Sequence, residues 1–281
     1  MSGDGAETLG LIAGQGSFPL DLARSARRAG HRVTCVAFRD RTDPRIEGEV
    51  DRVVWIHPGE VAAGVAAFKA AGVRNAVMAG KVPKADLIRD PAALRLDDRA
   101  ADLMRQVGDQ LDDTLLGKVA EFLETIGIRL LPQASLVPDL LGGEGPLGKA
   151  QPTARHEADI AFGLPIAKKL GELDIGQTVV VKDRAVLAVE AIEGTDAALR
   201  RAGELAPGGV AVKVAKPRQD PRFDMPAIGL QTLEVLAEAR IEVLAYEAGT
   251  TFVLERDALV RAADAHEIAV VGVDPGRFVS E

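Results

Sequence analysis

Leu9-Gly-Leu-Ile-Ala13, followed directly by Gly14-Gln-Gly-Ser-Phe-Pro19, decides how this chain is read. A short run with no polar face, a glycine turn and a proline opening a helical stretch to residue 29 describe a buried strand feeding a helix. The same alternation repeats outward from it. Residues 33–38 form a second buried-type strand and 52–56 a third. A helix over 61–71 follows, then a fourth strand at 75–79. Strands apolar on both faces, alternating with helices, predict a parallel sheet covered on both sides. After Lys81 come a loop containing Pro83 and Pro91, a long helix from about 99 to 126, and one more strand at 128–131.

From 131 to 152 the sequence is rich in Gly and Pro and loses its periodicity, which reads as a linker. The expected division is a first domain over 1–134, a linker over 135–152 and a second domain over 153–281. In the second half Thr153 caps a helix running to 170. Strands at 178–182 and 185–190 are joined by Asp183-Arg184 as a tight hairpin. A helix starts at Thr195-Asp196, a strand covers 210–214, a polar loop 216–226 and a helix 226–239. Strands at 243–246 and 251–254, a helix at 257–265 and a strand at 268–273 complete the chain. The fold class is therefore α/β in two domains, an N-terminal Rossmann-like parallel sheet and a C-terminal mixed α/β domain.

Composition narrows the function. The 281 residues are 47% hydrophobic and 27% charged, enough to build packed cores and too apolar for extensive disorder. Aromatics supply 4%, with Trp55 and Tyr246 the sole Trp and Tyr, so a base-stacking platform is excluded. Lys and Arg number 34 against 42 Asp and Glu, a net charge of −8 that does not suit nucleic acid as a partner. The lone Cys35 cannot form an internal disulfide, which points to a cytosolic setting. No signal peptide and no apolar run of about 18–20 residues is visible, so a soluble protein is expected. The four histidines are scattered without zinc-ligand spacing. The Asp-x-His clusters of metallophosphoesterases and the Gly-x-Ser-x-Gly elbow are missing.

Four segments remain as carriers of chemistry. The turn Gly14–Pro19 could bring backbone and a helix N-terminus against a phosphate, with Asp40 near the distance of a ribose-binding acid. Pro19 stands where the dinucleotide fingerprint has Gly, and a plain strand-to-helix turn explains the glycines as well. Gly143 to Lys149 has P-loop spacing, but Ala150 replaces the magnesium-binding hydroxyl and no strand precedes it, so it reads as linker. The third segment is the densest. Lys213, Lys216, Arg218, Gln219, Asp220, Arg222 and Asp224 crowd a loop at the carboxyl end of a strand, where open α/β sheets bind ligands. Carboxylates there can hold Mg²⁺ and cations can neutralise phosphate, or the loop is a solvated surface. Lastly, Glu190, Glu193, Thr195 and Asp196 could supply metal or sugar ligands, with Thr195 or Asp196 as an ordinary helix cap the simpler alternative.

Three blocks carry a resemblance: LGLIAGQGSFP at 9–19, LDIGQTVVVKDRAVLAVEAIEGTDAAL at 173–199 and GGVAVKVAKPRQDPRFDMPAIGLQT at 208–232. Over essentially its whole length the chain resembles the UDP-2,3-diacylglucosamine pyrophosphatases of lipid A biosynthesis found in bacteria that lack the metallophosphoesterase version. The resemblance implies Mg²⁺-dependent hydrolysis of the pyrophosphate to UMP and 2,3-diacylglucosamine 1-phosphate. It also implies a UDP-binding N-terminal domain, a C-terminal domain holding the acylated sugar phosphate, a homodimer, and peripheral contact with the inner face of the inner membrane. UDP would lie at Gly14, Gly16, Ser17 and Pro19, with Gly80 and Lys81 as second contacts. The family's essential acid in its RFD motif falls on Asp224, as metal ligand or as activator of water. Lys213, Lys216, Gln219 and Arg222 would stabilise charge on the phosphates, and Asp220, Glu190 and Glu193 are further metal candidates. Thr195 and Asp196 would contact substrate. The acyl chains require an apolar groove, for which the surfaces around 160–170 and 228–236 are the candidates. Two alternatives stand beside this reading: a nucleotide-sugar-binding or regulatory protein without turnover, and a nicotinamide oxidoreductase.

Overall fold

Leu9, Leu11 and Ala13 are buried in β1 (Thr8–Ala13), the middle strand of a five-stranded, all-parallel sheet. Its order is β3-β2-β1-β4-β5, with β2 at Arg32–Phe38, β3 at Arg52–Ile56, β4 at Asn75–Ala79 and β5 at Arg129–Leu130. The computed structural model describes residues 7–81, 95–107 and 113–277. The chain divides into two compact units, Met1–Pro138 with Asp220–Asp224, and Asp139–Gln219 with Met225–Glu281. The parallel sheet belongs to the first. Its strand order reverses direction between β1 and β4, and the carboxyl ends there form the crevice in which doubly wound sheets bind ligands.

The helices of this unit are α1 (Phe18–Arg28), α2 (Val61–Ala70), α3 (Asp98–Val107) and α4 (Asp113–Thr125). Phe68 of α2 and Leu123 of α4 pack with Val36, Met78 and Leu130 from the strands in one core. The helix expected over 99–126 is thus seen as α3 and α4. Residues 108–112, and the expected loop with Pro83 and Pro91, lie outside the described residues.

The second unit carries a mixed sheet of six strands in the order β6-β13-β11-β9-β7-β8. These are β6 (Gly145–Leu147), β7 (Thr178–Lys182), β8 (Ala185–Val189), β9 (Val210–Lys213), β11 (Val243–Glu247) and β13 (Ala269–Val273). The hairpin between β7 and β8 turns on Asp183 and Arg184, with φ of 51° and 56°. Positive φ at both central residues matches the right-handed twist of the flanking strands. Their amides donate at 3.0 and 2.7 Å to Asp159, a buried acid on α5 (Ala154–Glu172).

Two readings of the sequence need correction here. The stretch taken as linker contains β6, which pairs antiparallel with β13. Pro146 has no N–H to donate, and β6 is an edge strand, the position where a sheet tolerates proline. Helix formation also does not begin at Pro226. Ala227–Ile228 is instead a short strand, β10, parallel to β12 (Phe252–Val253), and α7 (Leu230–Glu238) starts after Gly229. Phe252 N donates to Pro226 O and Leu254 N to Ile228 O, both at 2.8 Å, which holds this backbone extended.

Each face of the second sheet is covered. On one, Ile160, Leu164 and Ala167 of α5 meet Val179, Val181 and Val212. On the other, α6 (Thr195–Leu205), α7 and α8 (Arg256–Ala265) bring Leu199, Leu233, Leu236 and Leu259 onto the sheet. Most apolar residues around 160–170 and 228–236 therefore build cores; Phe162 is exposed. Among the described residues no helix is long and apolar enough to cross a membrane.

Candidate functional site

Lys213 ends β9, whose four residues are all buried. Its side chain is 5% exposed, and Nζ lies 3.0 Å from Thr195 Oγ1 and 3.4 Å from Thr178 Oγ1. Thr195 donates in turn to Glu190 Oε1 at 2.7 Å, and Gln177 N donates to Glu190 Oε2 at 3.4 Å. Burial pushes the Glu190 carboxyl up, but the Lys213 charge and the donors from Thr178, Thr195 and Gln177 together hold it below its ordinary 4.5. A carboxyl depressed in the folded state stabilises the fold fully above its unfolded value and loses that contribution as pH falls through the folded one. Glu190→Gln is thus expected to melt lower than the parent at pH 7. The gap should narrow as pH falls below 4.5 and through the lowered folded-state value, which thermal melts across that range would check.

The helix cap at this junction is Gly194, with φ of 82°, so neither Thr195 nor Asp196 serves as the cap. The Thr195 hydroxyl is spent on the Glu190–Lys213 cluster. Asp196 accepts from Gln231 at 2.7 Å, and Glu193 pairs with Arg201 at 2.6 Å.

Past β9 the loop is pinned by a group that the sequence reading missed. Glu247, buried at the end of β11, accepts from Ala215 N at 2.7 Å and from Lys168 Nζ at 2.5 Å. A carboxylate closing an otherwise apolar, fully buried strand was the available signal. Lys216 is also buried, with Nζ 2.6 Å from Asp174, and its amide donates to Gln219 Oε1 at 3.0 Å.

Asp220–Asp224 belongs to the first unit and forms a tight turn there, with Asp224 N donating to Asp220 O at 3.1 Å. Pro221 O accepts from Gln133 N at 2.9 Å, and Gln133 Nε2 donates to Met78 O at 2.9 Å, tying the turn to β4. Asp220 accepts from the Arg222 amide at 2.9 Å and from Nη2 at 2.7 Å. Burial raises the Asp220 carboxyl, and the Arg222 hydrogen bonds and charge more than offset it, leaving it below the usual carboxylate value. Arg222 also reaches Glu124 at 3.2 Å.

Three loop cations thus have acids of their own: Lys213 with Glu190, Lys216 with Asp174, Arg222 with Asp220 and Glu124. Lys offers three donors and Arg five, so each keeps capacity for a phosphate oxygen while its acid fixes its place. Among the described residues no three His, Cys, Asp or Glu side chains gather to hold a metal. Glu190, Glu193 and Asp220 bond to Thr195, Arg201 and Arg222 respectively. Mg²⁺ takes one or two carboxylates with phosphate oxygens and waters, so carboxylates of this loop would suit it only together with a substrate's phosphates.

The glycine turn of the first unit lies at the carboxyl ends of β1 and β4. Gly14 N donates to Ala79 O and Gln15 N to Lys81 O, both at 2.8 Å, and Lys81 N returns to Gln15 O at 2.9 Å. A Cβ on Gly14 would lie 2.6 Å from Lys81 O, and one on Gly80 would lie 2.7 Å from Gln15 O. Chain-on-chain approach therefore accounts for these two glycines. Gly16, with φ of 102°, has open space around it. Ser17 occupies the N-cap position of α1 without a side-chain cap hydrogen bond, Pro19 sits in the first turn, and Asp40 is exposed after β2. At this same edge the unit carries an open, mainly apolar pocket of about 220 Å³.

Comparison with known proteins places these features. Residues 8–140 match the family model described as the LpxI N-terminal domain, and residues 143–271 match the LpxI C-terminal domain. The chain is 36% identical over 279 residues to UDP-2,3-diacylglucosamine pyrophosphatase LpxI of Caulobacter vibrioides, spanning 95% of this chain and 98% of that one.

Proposed function

This chain belongs to the LpxI family, and from that premise we propose that it hydrolyses the pyrophosphate bond of UDP-2,3-diacylglucosamine in lipid A biosynthesis. The observation that carries the reading is 36% identity running through both units to a pyrophosphatase of that name. Water adds to one phosphorus, the anhydride P–O bond breaks, and UMP and 2,3-diacylglucosamine 1-phosphate leave.

Two anionic products form where one dianionic diphosphate was bound, so the barrier falls when fixed donors meet the charge as it develops. Lys216, Gln219 and Arg222 supply such donors from a loop held by its own ion pairs. Lys213 fixes the start of that loop in the second unit through Thr195 and Glu190, and Asp220 fixes Arg222 in the first. Asp224, closing the RFD turn, would hold Mg²⁺ or orient the attacking water. When bound, Mg²⁺ supplies neutralisation of phosphate charge. Leu173, Ile175, Ile192 and Leu205 are exposed on the second unit and support peripheral contact with the membrane that carries the lipid.

The purified protein incubated with the lipid nucleotide and Mg²⁺ is expected to release UMP. EDTA should reduce the release to background, and added Mg²⁺ should restore it. Tight binding with no UMP would replace this reading by a nucleotide-sugar-binding protein without turnover. Turnover unchanged by EDTA would remove the metal.

A further inference from the structure

Ala215 lies past the end of β9 and in no helix, yet a pair of side chains takes both of its backbone polar groups. Its N–H donates to Glu247 Oε2 at 2.7 Å, and its carbonyl accepts from Lys168 Nζ at 3.1 Å. Lys168 Nζ also donates to that same Glu247 oxygen at 2.5 Å, which closes the three groups into a ring. All three residues belong to the second unit. A residue outside helix and sheet must still find partners for its N–H and C=O, and water is an ordinary one. Here the partners are fixed charges, whose hydrogen bonds are about twice as strong as neutral ones.

The same helix meets the next two residues of the loop. Gly171 follows Lys168 by three positions on α5, a spacing that keeps both on one face. A Cβ on Gly171 would lie 3.2 Å from Lys216 Cα and 3.4 Å from Pro217 Cδ. The helix thus seats residues 216 and 217 by contact, while Lys168 and Glu247 hold residue 215 by charge. Pro217 also restricts the backbone of Lys216, so a shift at Ala215 is carried into Lys216 and not absorbed there. Stability alone explains the pair poorly. Glu247 closes a strand whose five residues are all buried, where a well-packed apolar side chain would serve the core as well as an ion pair does. We infer that Glu247 and Lys168 are positioning residues for the pyrophosphatase reaction, an inference that rests on that reading of the function. Both act through the Ala215 peptide. They set where Lys216 presents its ammonium and where Gln219, which accepts from the Lys216 amide at 3.0 Å, presents its own donors.

Lys168→Met and Glu247→Gln, alone and together, test this on the full-length protein. A displacement of about 1 Å at a reacting centre costs roughly 100-fold in rate, so kcat for UMP release should fall roughly 10- to 100-fold in each single variant. KM should stay within about threefold, because these donors meet charge that develops only as the anhydride bond breaks. The double variant should lose no more than the more impaired single, since the pair acts as one clamp. Lys168 is 27% exposed, so Lys168→Met should keep the parental melting temperature. Amide hydrogen exchange over 210–219 gives a readout that needs no substrate, and it should quicken roughly fivefold in either single variant. A kcat within about twofold of the parent in Lys168→Met, a raised KM at constant kcat, losses that multiply in the double, or unaltered exchange would each overturn the proposal. A parent that releases no UMP ends the pyrophosphatase reading, whereas unaltered exchange ends the positioning role, so the two failures are read apart.

Discussion

Asp224→Asn is expected to reduce UMP release by at least about 10³-fold while the melting temperature stays within about two degrees of the parent. Asn keeps the volume and one carbonyl oxygen but loses the charge, so a carboxylate that binds a cation or takes a proton fails and a merely packed one does not. The loop should survive the change. Its backbone is fixed by Asp220, Arg222 and Gln133 through bonds that do not involve the Asp224 side chain. Single-turnover assays at saturating substrate separate chemistry from binding. Within tenfold of parental turnover, Asp224 is not the essential acid.

Lys213→Met is expected to destabilise the second unit by about 3 kcal/mol, the low end of the cost of removing one of two buried opposite charges, since Lys213 reaches Glu190 through Thr195. Met preserves most of the aliphatic length, so the loss isolates the charge. With Lys213 and Glu190 both buried, the carboxylate left behind keeps only its hydroxyl and amide donors. Pairing the change with Glu190→Gln should restore most of the stability, because a neutral amide can still accept from Thr195. Urea denaturation of the two single variants and the double gives the coupling directly. A single-variant loss under about 1 kcal/mol would mean that water reaches the pair and screens it.

Strands were legible where burial on both faces imposed a continuous apolar run. Residues 52–56, 75–79 and 178–182 have the ends that their composition indicates. The Asp183-Arg184 hairpin was legible for a local reason, since two residues between apolar runs leave little choice of turn. Failures came where pairing is remote in sequence. Gly145–Leu147 becomes a strand only because residues 270–272 pair with it, and Ala227–Ile228 only because of residues 252–253. No short window holds that information.

The candidate site divides in the same way. The crowding of charge between Lys213 and Asp224 is a property of the chain and can be counted from it. Which acid each cation takes is not. Asp174, Glu124 and Glu190 come from three separate stretches of the chain, brought to these cations by folding. Gly14 and Gly80 are plain in the sequence, which leaves a phosphate cradle and a tight strand-to-helix turn both open for the first; the fold shows two segments of the chain pressed against each other there.

By itself, then, the sequence determined the two-part α/β architecture, the position of the charged loop and the resemblance on which the reaction rests, because apolar periodicity and local motifs are short-range. Tertiary structure alone decided the ion-pair partners, the assignment of Asp220–Asp224 to the first unit and the apolar pocket beside Phe223. Those depend on which distant surfaces meet, and a mainly apolar lining is visible only once the residues that form it, scattered from Ile12 to Phe223, have been brought around one space.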